Sequence, residues 1–467
     1  MSGGFRSRSA RRRTQPAEAP PRKAPIGDAA REAAWHVVLR VAEEGAYANL
    51  VLPKLLRERS ITGRDAAFAT ELTYGTLRAL GVLDAVIGHC SSRPLDNIEP
   101  AVLAAIRLGA YQLLYTRVDD HAAVDTSVRL VSASGNEKAT GFANGILRTI
   151  ARTPFEQWMS RLSPSGRVAR AAFRTAHPEW IARSFDTALG GVELDEALTA
   201  DSERPIVHLV ARPGEITAEE LALATGGEVG HYSPYAVYLT EGDPGKLDVV
   251  RDGLAAVQDE GSQLIARALV EVPVDSDSGR WLDLCAGPGG KAALIGALAR
   301  IDGARVDAVE VSDHRAELVR EAVAGLPVAV RVADGRVPGL EPGYDRILVD
   351  APCSGLGALR RRPEARWTKS EGDIVGLTQL QRELLASALR LVKPGGVVVY
   401  STCSPDLRET RAVVDAVLAG GEVEEVDARD FVLGMDNVGP GPSVQMWPHR
   451  HGTDAMFFAV LRKPAER

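Results

Sequence analysis

The residues best suited to chemistry fall at a few abrupt breaks in the chain. The apolar run Trp281-Leu282-Asp283-Leu284 gives way to Cys285-Ala286-Gly287-Pro288-Gly289-Gly290-Lys291 and then to the helix-like Lys291-Ala292-Ala293-Leu294-Ile295. Small residues at the end of a strand let a ligand meet the backbone, which is where open α/β sheets hold nucleotides. The turn is neither Gly-x-Gly-x-x-Gly nor Gly-x-x-x-x-Gly-Lys-Ser/Thr, so it is neither a dinucleotide fingerprint nor a P-loop. Glu310 closes the next strand, about 20 residues on, where an acid can hydrogen-bond a ribose. Asp334 follows a third strand, Asp350 a fourth and Cys403 a fifth, and Cys353 stands three residues past Asp350. One acid at a strand end is as often a loop cap as a ligand. Several groups at one sheet edge make a common site the better account.

The elements that position these groups follow from periodicity. Ala304 to Val311, Val328 to Val332, Asp345 to Val349 and Val397 to Tyr400 read as strands. His314 to Ala324 and Leu377 to Val392 read as helices between them, and Lys393-Pro394-Gly395-Gly396 stops the second. Such βαβ alternation calls for a mostly parallel, doubly wound sheet. Met456 to Leu461 adds a strand, expected at an antiparallel edge.

Upstream the pattern changes. From Asp28 to Arg152 apolar residues recur at helical spacing, as in Trp35, Val38, Leu39 and Ala42, or Leu103, Ile106, Ala110, Leu113 and Leu114, or Val124, Val128 and Val131. That is an all-helical bundle. Connecting helices follow, with His177-Pro178 as a turn into one. Ile206 to Val210, Glu219 to Ala224 and Ala236 to Leu239 then suggest a small α+β subdomain.

At 467 residues and a net charge of −7 the chain has the bulk of two or three globular domains, and the charge alone does not suggest a nucleic-acid binder. Residues 1–27 differ, with Arg6, Arg8, Arg11, Arg12, Arg13, Arg22 and Lys23 against the single acid Glu18. A basic, Pro-rich head of this kind is expected to be a disordered tail. No apolar run is long enough to span a bilayer, and no export signal is evident. The cysteines Cys90, Cys285, Cys353 and Cys403 show no Cys-x-x-Cys pairing, which argues against zinc and disulfides and for reduced thiols in a cytoplasmic protein. Cys90 reads as core. His449 and His451 have no nearby thiol and read as a surface loop rather than a metal site.

Phe68 to Arg78, Leu108 to Leu114, His121 to Asp125 and Gly141 to Arg148 resemble the NusB-type RNA-binding fold of antitermination factors. The segments Cys285 to Lys291, Asp350-Ala351-Pro352-Cys353-Ser354-Gly355 and Tyr400-Ser401-Thr402-Cys403-Ser404 resemble the motif set of the RNA cytosine-C5 methyltransferases of the Nop2/Sun family. With the NusB-like front end, the chain from about residue 28 is similar to the family's 16S ribosomal RNA branch, the Fmu/Sun type. The departures are Gly287 where Ala is usual, Glu310 where Asp is commoner, and Thr410 where Asn usually follows Glu409.

The resemblance implies a disordered basic tail over 1–27, a helical NusB-like RNA-binding domain over 28–155, linker helices and a small α+β subdomain over 156–265, and a Rossmann-like methyltransferase domain over 266–467. It implies that Cys285, Ala286, Gly287, Pro288, Gly289, Gly290 and Lys291 cradle S-adenosylmethionine, with the Cys285 thiol only packing. Glu310 would bind the ribose hydroxyls, Asp334 would approach the adenine amino group, and Asp350 would lie between the methionine end and the base. Arg315 is a further candidate on the cofactor side. Cytosine C5 is too weak a nucleophile to take a methyl group unaided, and a thiolate adding to C6 makes it an enamine carbon. Which thiol attacks is not derivable from the residues; the resemblance assigns Cys403 as nucleophile and Cys353 to product release. Asp350 would hydrogen-bond the base at N3.

The target base must leave its stack, so the expected partner is single-stranded or locally opened ribosomal RNA, bound by a monomer without metal or membrane. Arg360, Arg361, Arg362 and Arg366, with Trp367, are expected to meet phosphates and bases beside the site. The alternatives are the same reaction on transfer RNA or another ribosomal position, and a non-catalytic RNA-binding assembly or antitermination factor.

Overall fold

The computed structural model describes residues 28–465, so the basic segment 1–27 lies outside the described residues. The first helices are α1 (Ala29–Glu44), α2 (Ala48–Glu58), α3 (Gly63–Arg78), α4 (Leu80–Cys90), α5 (Pro100–Tyr115), α6 (Asp120–Ala133) and α7 (Thr140–Ala151). Asp28 caps α1 by accepting from the Arg31 N–H at 3.0 Å, and Gly45 ends it in the left-handed region. Helix α5 is the bundle's centre: eleven of its sixteen residues are buried, so it has no solvent face to keep polar.

The buried stripe of α1 is Ala30, Ala33, Ala34, Val37, Val38 and Val41. That corrects the face expected from Trp35, Val38, Leu39 and Ala42, since Ala42 is exposed and Trp35 and Leu39 are half-buried. Small residues let α1 pack closely, while the Trp35 indole stays at the margin, where its N–H reaches the Ala101 carbonyl at 2.9 Å.

Helix α8 (Phe155–Leu162) adds Trp158 to the bundle core. Helices α9 (Arg167–Arg174), α10 (Glu179–Ala188) and α11 (Leu194–Ser202) instead form a cluster with Leu356, Leu359, Trp447 and Ala455. They are wedged against the catalytic part rather than strung between domains.

The small sheet comprises β1 (Val207–Ala211), β2 (Glu228–Val229), β3 (Ala236–Leu239) and β4 (Ala255–Val257), ordered β2-β3-β1-β4 and antiparallel throughout. It carries α12 (Ala218–Thr225), held by a Thr217–Glu220 capping box, and the short α13 (Asp248–Arg251). Strands β2 and β4 are too short to show alternation in sequence. Helix α14 (Glu260–Glu271) runs through the boundary expected at 265, and its Leu264, Ile265, Ala268 and Leu269 sit in the catalytic core.

The large sheet holds β5 (Arg280–Asp283), β6 (Arg305–Glu310), β7 (Val328–Val332), β8 (Tyr344–Asp350), β9 (Val392–Thr402), β10 (Glu424–Val426), β11 (Val444–Gln445) and β12 (Phe457–Arg462). Its order is β10-β12-β9-β8-β5-β6-β7, with β11 paired to β12. Strands β9, β8, β5, β6 and β7 are parallel. Helices α15 (Gly290–Asp302), α16 (Asp313–Ala322), α17 (Ala365–Thr368), α18 (Asp373–Leu391), α19 (Arg411–Leu418) and α20 (Pro448–His451) complete the domain. Strand β12 is antiparallel to β9, pairing Phe457 with Thr402, but it is not the edge strand expected. Short β10 lies outside its residues 460–462 and β11 outside Phe457 and Phe458, and every β12 residue but Arg462 is buried.

Because β5 lies between β8 and β6, the connections leave it in opposite directions. The glycine turn after β5 and the loop after β8 therefore open onto one crevice, the position where such sheets bind ligands.

The segment 360–367 ties this domain to the helical ones, contrary to the expected phosphate-binding run. Arg366 is fully buried and donates to the carbonyls of Arg78, Thr175, Ala176 and Asp201, plugging the ends of three helices. Glu364 accepts from the Ala48 N–H at the uncapped start of α2, and Trp367 packs where any Cβ on Gly81 would lie 2.5 Å from its ring. Arg360 is buried against Asp454 at 2.7 Å. A guanidinium that must satisfy several carbonyls and a carboxylate is unavailable to RNA, and sequence spacing could not reveal this. No helix among the described residues is long and apolar enough to cross a membrane.

Candidate active site

A cleft of about 330 Å³ opens at the crevice, within the range of small-molecule sites. It is lined by Asp283 at the end of β5, by Cys285, Ala286, Gly287, Pro288, Gly290 and Lys291 from the turn and helix start that follow, by Asp350 at the end of β8 and by Cys403 just after β9. Opposite them stand Gln258, Asp259, Arg361, Asp454 and Met456. Glu310, Asp334 and Cys353 are not in its lining.

The turn is fixed by its backbone. Ala286 N–H bonds to Val309 O at 2.9 Å, and a Cβ on Gly289 would lie 2.8 Å from that of Ala322, at a φ of 114°. Only glycine combines that dihedral with that proximity. Glu310 is buried behind the turn, and its two carboxylate oxygens accept from Gly287 N–H at 3.1 Å and Ser312 N–H at 3.0 Å. Arg315 lies 3.5 Å from the same carboxylate and donates to Gly287 O. Asp334 is on the same edge, but Arg336 holds its carboxylate at 2.6 Å and keeps its pKa low.

Asp350 is held from two sides, by Lys291 Nζ at 2.8 Å and Ser401 Oγ at 2.8 Å. Burial works against the Lys291 charge, but Asp350 outweighs it and the ammonium is held above its ordinary pKa. Asp283, which sequence reasoning passed over as part of a strand, is only 1% exposed. One of its oxygens accepts from Cys285 N–H at 3.3 Å, the other has no partner, and burial, with Asp350 adding to it, pushes the carboxyl up to about 7.

Burial raises the pKa of all three site thiols. Cys353 is pushed up to about 12, with Glu409 as the next cause, although backbone N–H groups of Gly355 and Cys403 face it. Cys285 and Cys403 lie well above the ordinary thiol range, with the Lys291 charge drawing Cys403 partly back down. Burial of this kind favours the neutral thiol over the thiolate at all three positions.

Arg360 and Arg361 share Asp259 and Asp454 at 2.7 to 3.4 Å. Burial disfavours the charge of Asp259, but His208 and the two arginines hold its pKa well below the usual range; burial raises Asp454. The His-Gly-Thr-Asp sequence before β12 gave no hint of this role. His451, expected on a surface loop, is buried in α20, accepting from Trp447 N–H at 2.9 Å, and His449 pairs with Glu193 at 2.9 Å. No group of three or more potential metal ligands occurs among the described residues.

Comparison with known proteins gives the context. Residues 268–462 match the family model described as 16S rRNA methyltransferase RsmB/F, and residues 28–152 match the NusB family. The chain is 56% identical to a putative methyltransferase of Mycobacterium tuberculosis, over 95% of this chain and 98% of that one. It is 33% identical to the ribosomal RNA small subunit methyltransferase B of Cronobacter sakazakii, over 93% and 98% respectively. Among solved structures, that of PH0851 superposes with a TM-score of 0.79 at 23% identity, covering 93% of this chain and 99% of that one, and so supports the fold.

Proposed function

Because the chain belongs to the 16S rRNA methyltransferase RsmB/F family, with a NusB-family domain in front, we propose that it methylates C5 of a cytidine in small-subunit ribosomal RNA through a cysteine–C6 adduct. As a member of that family it is an S-adenosylmethionine-dependent RNA methyltransferase. The observation that carries the finer reading is that Cys403, Asp350 and Lys291 line the same cleft as the glycine turn.

The residues present fit the methyl donor. Asp283 offers a buried oxygen without a partner, suited to the donor's ammonium group. Glu310 is anchored by backbone N–H groups and keeps lone pairs for two ribose hydroxyls. Cys285 to Lys291 form the cradle, Arg315 steadies Glu310, and Asp334 reaches the adenine on exchanging Arg336. The bound cofactor supplies an electrophilic sulfonium methyl group.

The protein's own groups do the rest. The Cys403 thiolate adds to C6, which places electron density on C5 and toward N3. Asp350 takes up the proton that Cys403 gives up and donates it to N3 as charge develops there, and its ion-pair partner Lys291 stabilises the carboxylate left behind. Once C5 carries the methyl group, a water molecule takes its remaining proton, the C5=C6 double bond re-forms and the Cys403 thiolate leaves, with Cys353 assisting release. Lys291, facing both Asp350 and Cys403, favours thiolate formation. The helical domain binds the RNA, and the protein works as a monomer in the cytoplasm.

The test is direct. Labelled S-adenosylmethionine and undermethylated ribosomal RNA should yield 5-methylcytidine in small-subunit RNA. Label confined to another base, or to transfer RNA, contradicts the assignment.

A further inference from the structure

Two Cys-Ser dipeptides face each other behind the cleft, Cys353-Ser354 after β8 and Cys403-Ser404 after β9. Their serine hydroxyls stand 3.2 Å apart. Between them lies Glu409, which is fully buried. One of its carboxylate oxygens accepts from Ser354 N–H at 2.8 Å and from the Gln381 amide at 3.1 Å. The other accepts from Ser404 Oγ at 2.7 Å and from Ser354 Oγ. Gln381 also donates to Pro352 O at 2.9 Å, and Tyr400 OH donates to the Glu409 carbonyl at 2.6 Å.

We propose that Glu409 is a positioning residue that fixes the two cysteines relative to each other by bonding the serine that follows each. The inference rests on the cysteine-adduct reading above. A buried carboxylate is costly unless its lone pairs are filled. Here they are filled by four neutral donors, two of them from Ser354 and one from Ser404. No ion pair of Glu409 is found among the described residues, so direction rather than charge is what these bonds supply. Neither Glu409 nor the serines line the cleft, so Glu409 acts through the cysteines. A loop displaced by about 1 Å costs on the order of 10²-fold in rate when reacting groups must be aligned.

The test uses the full-length Glu409→Gln protein. Gln keeps the size but replaces one acceptor with a donor. We expect kcat to fall about 10²-fold while KM for RNA and the affinity for S-adenosylhomocysteine, measured by calorimetry, stay within about twofold. Unchanged kcat overturns the proposal, as does an equal loss of cofactor affinity, which marks collapse of the whole site. If the variant does not fold, Ser354→Ala, Ser404→Ala and the double variant decide. Shared bonding to Glu409 predicts that the double is no slower than the slower single; independent, multiplying losses overturn it. The wild type on 5-fluorocytidine RNA separates the two readings. No adduct there sinks the cysteine chemistry and the proposal with it, whereas a normal adduct with an unaffected Glu409→Gln sinks the proposal alone.

Discussion

A Cβ on Gly287 would lie 2.2 Å from the Glu310 carboxylate, so the glycine and the long acid are two halves of one contact. Both are departures from the family pattern noted in the sequence, Gly for Ala and Glu for Asp. Separately they are unexplained; together they describe a carboxylate that fills the space a methyl group would take.

This contact predicts a compensating pair. Gly287→Ala should weaken S-adenosylmethionine binding about tenfold or more, ~1.4 kcal/mol, by pushing Glu310 from its backbone donors. Adding Glu310→Asp withdraws the carboxylate and should restore most of the affinity. Calorimetric titration of both proteins checks it, and a double variant no better than Gly287→Ala would rule the contact out as the cause.

Asp283 links stability to pH. Its carboxyl is pushed up to about 7 by burial, above the value of roughly 3.9 expected in the unfolded chain. A raised folded-state pKa means that the carboxyl's stabilising contribution is complete below about pH 4 and is lost as pH rises through about 7. The loss is on the order of 4 kcal/mol. Without cofactor, Asp283→Asn should therefore melt higher than wild type at pH 8, with the gap narrowing toward pH 5, and should bind S-adenosylmethionine more weakly. Thermal scans at both pH values check the sign; a gap that widens on acidification contradicts it.

Arg366 should be a structural keystone rather than an RNA contact. Its burial pulls its pKa down to about 10, and the Asp201 carboxylate 3.4 Å from it is shared with His177 at 2.9 Å. Arg366→Met should cost about 3–5 kcal/mol in urea unfolding, because it takes the charge partner from buried Asp201 and the donor from several carbonyls. Salt dependence of RNA binding in the fraction that stays folded should match wild type. A shallower salt slope with normal stability would restore the phosphate-contact role.

Much of this was legible in the sequence, and the reasons differ by residue. The turn after β5, the parallel order and the helical bundle follow from local periodicity and from glycines whose neighbours leave no room for a Cβ. The placement of Glu310 and Asp350 at neighbouring strand ends was legible because parallel strands in such sheets point one way. Arg360 and Arg366 were misread because their partners, Asp454 and Asp201, lie 94 and 165 residues away in the chain. Asp283 and Glu409 were overlooked for a related reason. Each draws its significance from burial and from the partners it has or lacks, which no spacing rule encodes. Strand β10 escaped because three residues carry no period, and with it went the true edge of the sheet.

The decisive measurement is covalent trapping on 5-fluorocytidine RNA with S-adenosylmethionine, comparing wild type, Cys403→Ala and Cys353→Ala. Fluorine at C5 cannot leave as a proton does, so a thiolate bound at C6 stays attached. The wild type and Cys353→Ala should each form a denaturant-stable protein–RNA adduct, and Cys403→Ala should form none and transfer no methyl group. An adduct that survives in Cys403→Ala but disappears in Cys353→Ala would reverse the two roles, and no adduct in any of the three would contradict cysteine attack altogether.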